Sequence, residues 1–319
     1  MTRPLVSVVV PSLNRAAYLR ATVDSILTQD YPHIECIVMD GGSRDDTVDI
    51  LREYGDRIDW VSEKDKGQTD AIDRGLRKSC GEICTWLNAD DIWWTPAAVS
   101  TAVAEFEKHP TADVIYGDCR AIDAAGELIG DSYGVRGWDL RYAIEQADHC
   151  IPQPSAFIRR CALERVGFLD TSLIFMDRDL WLRIGLTGEI CHVPTYLAAA
   201  RTHSTYWHAR YRSAAEEWIA TSERILNHPD LPARLGIRKS VAMANARLKA
   251  MQYAWIGKRL GETFMIGAPA VRYHLPAIVG FARNLWVFAS ESNHWAASLL
   301  RVPRAIWRVR TLVSGDRNR

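Results

Sequence analysis

The sequence predicts an α/β fold built on a mostly parallel sheet. Residues 6–10 are a valine-rich run, VSVVV, closed by Pro11, and such a run is typical of a strand buried on both faces. Residues 16–28 then carry apolar side chains at close to helical spacing. Strand and helix patterns keep alternating as far as Leu87, which indicates helices layered on a parallel sheet.

The remaining elements of this half follow from the same two patterns. Asp45 and Asp46 lie near the start of the second helical pattern, where carboxylates favour the helix dipole. The expected strands are residues 6–10, 34–39, 58–62 and 83–87, and the expected helices are residues 16–28, 47–53 and 69–78.

After Pro110 the alternation loosens. Residues 112–123 and 127–134 are expected to pair as strands, with residues 123–126 as the turn. Further along, we expect helices near residues 156–166 and 177–188, a strand–turn–strand unit over residues 189–203, and helix from residue 211 to about residue 260. The chain is therefore divided into a unit of residues 1–210, with halves of about 1–110 and 111–210, and a helical extension of residues 211–319.

Composition limits the classes of function. Of the 319 residues 48% are hydrophobic, which is enough for a large core. The 39 Lys and Arg residues equal the 39 Asp and Glu residues, whereas nucleic-acid-binding proteins usually carry a basic excess, so no nucleic-acid partner is expected. The seven scattered cysteines lack zinc-site spacing and favour reduced thiols in the cytoplasm. Neither a signal peptide nor a membrane-spanning segment is expected.

The end of the chain concentrates positive charge. Residues 258–319 contain ten Lys and Arg residues against three acidic ones. Arg301, Arg304 and Arg308 share one helical face among apolar clusters, a pattern that suits peripheral binding to an anionic membrane surface. The same pattern equally fits a helix that packs on the rest of the protein or forms a dimer contact.

Acidic and hydrogen-bonding side chains follow each of the four predicted strands. In an open α/β sheet, ligands bind beyond the carboxyl ends of the strands. A turn or a helix cap would explain any one of these segments, but their coincidence at one edge predicts a ligand site. The candidate residues are Pro11, Ser12, Asn14, Arg15, Asp40, Asp65, Gln68, Asp70, Asn88, Asp90 and Asp91.

The chemistry of this edge restricts the ligand. The chain has neither the G-x-G-x-x-G pattern of dinucleotide-binding proteins after its first strand nor a phosphate-binding P-loop. Carboxylates repel phosphates unless a divalent cation lies between them, and Mg²⁺ or Mn²⁺ typically takes one or two carboxylates plus phosphate oxygens. Asp40, beside a Gly-Gly turn, can accept hydrogen bonds from a base or ribose. The residues therefore predict a nucleoside-diphosphate site held through a metal.

Five motifs give the chain a family resemblance. They are SVVVPSLNRAAYL, IVMDGGSRDDT, SEKDKGQTDAIDRGL, GEICTWLNADD and MDRDLWLRIG. In their order and spacing they resemble family-2 glycosyltransferases with the GT-A fold, over roughly residues 4–205. The resemblance implies a Rossmann-like mixed sheet flanked by helices, with the helical extension after it, and transfer of a sugar from a nucleotide-diphosphate sugar to a glycan or lipid-linked glycan.

The resemblance also implies roles in the first half. Residues 11–15 and Asp40 are similar to the family's nucleotide contacts, and Asp65 to a further base or ribose contact. Asn88-Ala89-Asp90 lies where the family carries its Asp-x-Asp metal motif. Because Asn88 replaces the first carboxylate, metal binding is assigned to Asp90, with Asp91 directed at the metal or the donor sugar and Asn88 at hydroxyl groups.

In the second half the resemblance implies an inverting mechanism. Asp177 aligns with the family's general base, which removes the acceptor proton, and Asp179 is the alternative. His203 aligns with a histidine that can ligate the metal, although a structural histidine is the more common case. His149, Gln153 and Trp93 are candidate acceptor contacts, and Arg201 is a candidate diphosphate contact. Core packing is the alternative for Trp93.

The sequence-based conclusion is a cytoplasmic or peripherally membrane-bound inverting glycosyltransferase that uses Mg²⁺ or Mn²⁺. Two alternatives stay open at this point. A nucleotidyltransferase of related fold would usually carry a Gly-rich loop after the first strand, and PSLNRAAYL has no glycine. A non-catalytic glycan- or nucleotide-binding protein is favoured weakly by Asn88 and by Met176 at the family's Glu position.

Overall fold

The computed structural model describes residues 3–132, 137–148, 151–202 and 211–256. Within those ranges the strands are β1 Val6–Ser12, β2 Ile34–Asp40, β3 Asp59–Ser62, β4 Ile83–Trp86, β5 Ile92–Trp93, β6 Ala112–Ile122, β7 Leu128–Asp131, β8 Ala156–Arg159 and β9 Glu189–Arg201. The helices are α1 Ala16–Leu27, α2 Thr47–Tyr54, α3 Gln68–Lys78, α4 Ala98–Lys108, α5 Leu140–Glu145, α6 Arg160–Val166, α7 Met176–Thr187, α8 Tyr211–Leu226 and α9 Lys239–Ile256.

The strands form one mixed sheet in the order β3-β2-β1-β4-β8-β6-β9-β5, and β7 pairs with β6. Strands β1 to β4 are mutually parallel. Strand β8 is antiparallel to β4 and β6, while β6 and β9 run parallel. The carboxyl ends of β1 to β4 therefore lie at one edge of the sheet, as the sequence predicts.

Two apolar layers cover the sheet. In β1, Val8 and Val10 face the cluster that contains α1, α2 and α4, whereas Val9 faces the cluster that contains α3, α6 and α7. A strand with both faces covered needs a largely apolar sequence, which explains the four valines of residues 6–10. Helix α3 approaches the sheet closely because residue 75 is glycine; a Cβ there would collide with Val9 Cγ1.

Two expectations for the second half are wrong. Residues 156–166 do not form one helix, because Ala156–Arg159 is the central strand β8 and α6 follows it. A short apolar run fits a buried strand as well as a buried helix. Residues 189–201 are one strand, not a strand–turn–strand unit, and their pairing with β6 shifts register near Gly117. The shift allows β9 to continue past Pro194 without ending the strand.

The helical extension packs on the rest of the fold. Helices α8 and α9 are separated by a segment with two prolines, Pro229 and Pro232, which ends the helical pattern. Trp218 of α8 and Ala246 of α9 share an apolar cluster with Phe175, which precedes α7. No helix within the described ranges has the length and apolar character of a transmembrane segment. The basic residues 258–319, with the predicted membrane contact, lie outside the described part of the chain.

Candidate active site

Hydrogen bonds connect the loops that follow β1 and β2. Asn14 adopts a positive φ of 54°, its N–H donates to Ser43 Oγ at 2.7 Å, and its side-chain oxygen accepts from the Arg44 N–H at 2.9 Å. The Arg15 N–H donates to Thr47 Oγ1 at 3.1 Å. Asn tolerates this left-handed backbone better than most residues, so the sequence Leu-Asn-Arg fixes the loop against its neighbour.

Asp40 is buried at the end of β2 and organises the loop that follows. Its carboxylate accepts hydrogen bonds from the N–H groups of Gly42 and Ser43 at 3.2 and 2.9 Å, and from the hydroxyls of Ser43 and Ser62. A carboxylate offers about four acceptor positions. The protein itself therefore supplies most of the hydrogen bonding of Asp40, and a contact with a base or ribose stays a prediction.

Asp65 lies over Gly41. A Cβ on Gly41 would come 2.7 Å from an Asp65 carboxylate oxygen, so glycine is what allows the two loops to approach. Asp65 also accepts from the Gly67 N–H at 2.9 Å, and Asp70 accepts from the Lys66 N–H at 3.2 Å. These contacts place both carboxylates at the entrance to α3, at the edge where the sequence predicts donor contacts.

Ser12 is buried at this edge of the sheet. It is the last residue of β1, follows the buried Pro11, and is itself 5% exposed. Among the described residues its hydroxyl finds no hydrogen-bond partner, and a buried hydroxyl without a partner costs free energy. A ligand that offers a hydrogen bond at this point would remove that cost.

A chain of hydrogen bonds crosses the end of β4. Gln68 Nε2 donates to Asn88 Oδ1 at 2.7 Å, and Asn88 Nδ2 donates to Asp91 Oδ2 at 2.9 Å. The other oxygen of Asp91 accepts from the Arg201 N–H at 2.9 Å. Asn88 thus serves as both acceptor and donor, a combination that an ionised aspartate at this position would not provide.

The two acidic residues after Asn88 differ in environment. Asp91 is 5% exposed, and its burial, reinforced by the charge of Asp90, raises its pKa to about 7. Asp90 is less buried, and its Oδ2 lies 3.4 Å from Arg15 Nε. Asp91 is therefore a carboxylate whose ionised form is poorly stabilised by its surroundings.

These two carboxylates fit a hard divalent cation. Mg²⁺ or Mn²⁺ is commonly bound through one or two protein carboxylates and completed by phosphate oxygens. Asp90 and Asp91 would provide the protein ligands, and a cation beside them would favour the ionised form of Asp91. A cluster of three or more acidic, His or Cys side chains is not found in the described part of the chain. His203 lies outside it, as does His149.

The two candidate bases at the start of α7 have different partners. Asp177 is half-buried, and burial raises its pKa to about 6. Asp179 is 0% exposed and forms ion pairs with Arg183, at 2.7 Å, and with Arg224. Both carboxylate oxygens of Asp179 are thus occupied by guanidinium groups, so the contacts favour Asp177 as the base.

Asp177 lies on the same side of the fold as the end of β4. Thr69, the neighbour of Gln68, donates to the Leu173 carbonyl at 2.8 Å. Trp181, one turn beyond Asp177, stacks on Trp86, whose ring lies 5.9 Å away and nearly parallel. These contacts bring α7 to the strand that leads into Asn88.

The structure corrects the role expected for Trp93. Its ring is 4% exposed and stacks on Phe157 in the core beneath the sheet, so it cannot serve as an acceptor platform. The adjacent Trp94 is 40% exposed. Gln153 is buried at the end of β4 and donates to the Trp86 carbonyl at 2.7 Å, which limits its accessibility to an acceptor.

Arg201 is placed differently from expectation, and Glu217 was not anticipated. The Arg201 side chain donates to the carbonyls of Asp90, Asp123 and Ala124, so it braces the loops instead of pointing at a diphosphate. Glu217 of α8 accepts hydrogen bonds from two backbone amides just before α7. No local sequence pattern marks Glu217, because its partners are more than 40 residues away.

Comparisons with known proteins identify the family of the chain. The family model described as glycosyl transferase family 2 matches residues 7–167, just over half of the chain. An uncharacterized glycosyltransferase of Rickettsia prowazekii is 31% identical over 63% of this chain and 65% of its own length. Chondroitin synthase of Escherichia coli is 30% identical over 60% of this chain and 28% of its own length. The chain thus spans less than two thirds of these relatives.

A solved structure shows the same fold. The mannosyltransferase PcManGT of Pyrobaculum calidifontis, in complex with GDP-Man and Mn²⁺, superposes with a TM-score of 0.59 at 21% identity, covering 97% of this chain and 88% of that one. The predicted fold class is therefore confirmed. The chain belongs to glycosyl transferase family 2 and has the GT-A fold.

Proposed function

We propose that this glycosyltransferase moves a sugar, with inversion, from a nucleoside-diphosphate sugar to a hydroxyl group of a glycan or lipid-linked glycan. The observation that carries the proposal is the acidic pair at the end of β4. Asp91 is buried there, held by Asn88 and Arg201, and adjoins Asp90. A buried carboxylate with a raised pKa and a second acid beside it is typical of a functional site.

The donor would occupy the edge formed by the ends of β1, β2 and β4. The orphaned hydroxyl of Ser12 and the carboxylates of Asp40 and Asp65 would bind base and ribose. Arg15 would contact the diphosphate, since its guanidinium already lies beside Asp90. The mannosyltransferase from Pyrobaculum was solved in complex with GDP-Man, which supports a nucleoside-diphosphate sugar as the donor for this chain.

Divalent-cation assistance is part of the proposal. Asp90 and Asp91 would hold Mg²⁺ or Mn²⁺, with His203 as a further predicted ligand. When bound, the cation would stabilise the negative charge of the departing diphosphate. Asn88 would keep Asp91 in place and offer its remaining hydrogen-bonding capacity to donor hydroxyls, because its amide already spans Gln68 and Asp91.

Asp177 would be the general base. An inverting transfer requires one carboxylate to take the acceptor proton as the hydroxyl oxygen attacks the anomeric carbon. A pKa of about 6 leaves Asp177 ionised near neutral pH and more basic than an ordinary aspartate. Asp179 is excluded from this role in the proposal because two arginines neutralise it.

The acceptor is proposed to be a carbohydrate hydroxyl. Trp94, the exposed aromatic beside the acidic loop, offers an apolar face of the kind that suits sugar C–H groups. Gln153 and His149 remain predicted acceptor contacts. Chondroitin is a polysaccharide, so the Escherichia coli relative supports a glycan acceptor. Attachment of residues 258–319 to an anionic membrane surface would suit a lipid-linked acceptor and stays a prediction.

A donor screen tests the proposal. Thermal unfolding of the full chain is followed with UDP-GlcNAc, GDP-mannose and other nucleoside-diphosphate sugars, each with and without Mn²⁺. We expect one donor class to raise the melting temperature in a Mn²⁺-dependent way, because a ligand that binds only the folded state stabilises it. The Mn²⁺-dependent part of the rise in melting temperature should be lost in Asp90→Asn. It should be kept in Asp49→Asn, which changes an exposed residue. No stabilisation by any donor would contradict the donor site.

A further inference from the structure

We propose that Glu217, on the helical extension, is a positioning residue for Asp177. It would hold the first turn of α7 in the orientation that presents the Asp177 carboxylate to the acceptor hydroxyl. The inference rests on the proposed role of Asp177 as general base. It makes α8 a component of the active site, although residue 217 lies 50 residues beyond the end of the family match.

The start of α7 is capped by a side chain from another helix, α8. Glu217 Oε2 accepts from the Ile174 N–H at 2.7 Å, and Glu217 Oε1 accepts from the Phe175 N–H at 2.6 Å. The N–H groups at a helix start have no partner within the helix, and α7 has no side-chain cap from its own N-cap residue, Phe175. A carboxylate at this end also favours the helix dipole.

Asp177 depends directly on that cap. It is the second residue of α7 and only two residues beyond Phe175. The direction of its side chain is therefore set by the backbone that Glu217 holds. Small displacements of a catalytic group cost rate steeply, with about 1 Å worth up to ~100-fold.

The rest of α8 supports the same segment. Arg224 pairs with Asp170 at 2.9 Å and with Asp179, one on each side of the capped amides. The Trp218 ring packs edge-on against Phe175, with ring centres 4.9 Å apart, and the Arg178 guanidinium lies 4.3 Å from the centre of the same indole. The extension thus holds the entrance to α7 at several points, and Glu217 is the residue that binds the backbone amides just before the helix.

Charge gives Glu217 a second effect on Asp177. Burial raises the pKa of Glu217, and the negative charges of Asp170 and Asp177 act in the same direction. Because repulsion between two carboxylates is mutual, we expect an ionised Glu217 to make Asp177 a better proton acceptor. The other charged groups around this pair are Asp170, Arg178, Asp179, Arg183 and Arg224. A purely structural cap would leave the pH dependence of turnover unchanged, whereas a charge effect of Glu217 on Asp177 would shift it.

The test compares variants of the full chain. Release of nucleoside diphosphate from UDP-GlcNAc and GDP-mannose, with Mn²⁺ and with water or added glycan as acceptor, is measured against pH. Glu217→Gln keeps one acceptor oxygen but removes the charge. We expect kcat to fall about ten- to hundred-fold and the donor KM to stay within about two-fold of wild type. The acid limb of the pH profile of kcat should move to lower pH. Glu217→Asp should lower kcat but leave the acid limb in place.

The control is Glu223→Gln, an exposed glutamate on the same helix, which should behave as wild type. Faster amide hydrogen exchange at Ile174 and Phe175 in Glu217→Gln, with β1 still protected, should accompany the loss of kcat. If wild type turns over a donor and Glu217→Gln matches it in kcat and pH profile, the role of Glu217 is overturned and the proposed function stands. If wild type neither binds nor turns over any donor, the proposed function fails and this inference with it.

Discussion

Arg15 lies against Asp90, with its Nε 3.4 Å from the Asp90 Oδ2. A residue in the loop after the first strand therefore forms an ion pair with a carboxylate in the loop after the fourth. Both side chains are partly exposed, at 29% and 15%, so the pair is accessible to ligands. A cation that approaches Asp90 competes with Arg15, and a diphosphate that approaches Arg15 competes with Asp90.

Arg15→Gln should strengthen metal binding in the absence of donor. Removal of the competing guanidinium is expected to raise Mn²⁺ affinity about two- to five-fold, since pairs of this exposure contribute roughly 1 kcal/mol or less. The same change should weaken donor binding, because the diphosphate loses a cationic partner. Titration calorimetry measures both affinities. Arg20→Gln, which removes an exposed arginine paired with Glu53, should change neither, and a drop in Mn²⁺ affinity in Arg15→Gln would contradict the competition.

Asn88→Asp should restore the family's acidic pattern at a cost in stability. The new carboxylate would lose the hydrogen bond that Asn88 donates to Asp91 and would add a charge beside two acids. We expect the free energy of unfolding to fall by about 1–3 kcal/mol without metal, and Mn²⁺ to recover part of it. Denaturant unfolding with and without Mn²⁺ checks this. Equal stability of Asn88→Asp and wild type in the metal-free state would mean that the amide is not needed to hold Asp91.

Substitution of the two adjacent tryptophans should have different effects, one on stability and the other on acceptor binding. Trp93→Ala removes a core ring that stacks on Phe157 and should lower the free energy of unfolding by about 3–5 kcal/mol. Trp94→Ala removes an exposed ring and should leave stability within about 0.5 kcal/mol while raising the acceptor KM. Thermal melts and acceptor titrations measure the two effects. If Trp94→Ala leaves the acceptor KM unchanged, its ring does not contact the acceptor.

Asp177→Asn should stabilise the protein at alkaline pH. Because its pKa is raised to about 6 in the folded state, the folded protein binds this proton more tightly than the unfolded chain does, and the stability it contributes is lost as pH rises through about 6. Asparagine cannot ionise. We expect the free energy of unfolding of Asp177→Asn to exceed that of wild type by about 1–3 kcal/mol at pH 8 and to equal it near pH 4.

Asp170→Asn is the matched control for that pH dependence. Although burial alone would raise its pKa, hydrogen bonds from Ser172 and Arg224 lower the pKa of Asp170. Its ionised form therefore stabilises the fold above the ordinary aspartate pKa, and Asp170→Asn should lose stability at pH 8. Urea unfolding at both pH values compares the variants. A stability difference for Asp177→Asn that is the same at pH 4 and pH 8 would show that its charge is not the cause.

Local patterns predicted the first half of the fold well. The valine-rich run of β1 and the polar residues after β1, β2 and β4 depend on burial and turn chemistry within a few residues. Strand β8 was mistaken for helix because Ala-Phe-Ile fits both structures, and only its position between β4 and β6 decides. The short strand β5 and helices α4 and α5 were not anticipated.

The sequence predicted which residues lie near the site but not the contacts between them. The resemblance and the strand ends pointed to the residues around Asp90, yet the pairing of Asp90 with Arg15 depends on how two loops meet. Asp179 appeared as a second candidate base until its two arginine partners were known, one of them 45 residues away. Trp93 and Trp94 are adjacent in sequence, and only the sheet shows which one faces the core.

The proposed mechanism is tested most directly by the rate of sugar transfer in Asp177→Asn. Donor affinity and single-turnover transfer are measured for wild type and Asp177→Asn with the donor that stabilises the chain. The variant cannot accept the acceptor proton, so we expect its transfer rate to fall by about 100-fold or more while its donor affinity stays within about two-fold of wild type. Transfer at the wild-type rate by a folded Asp177→Asn would contradict Asp177 as the general base.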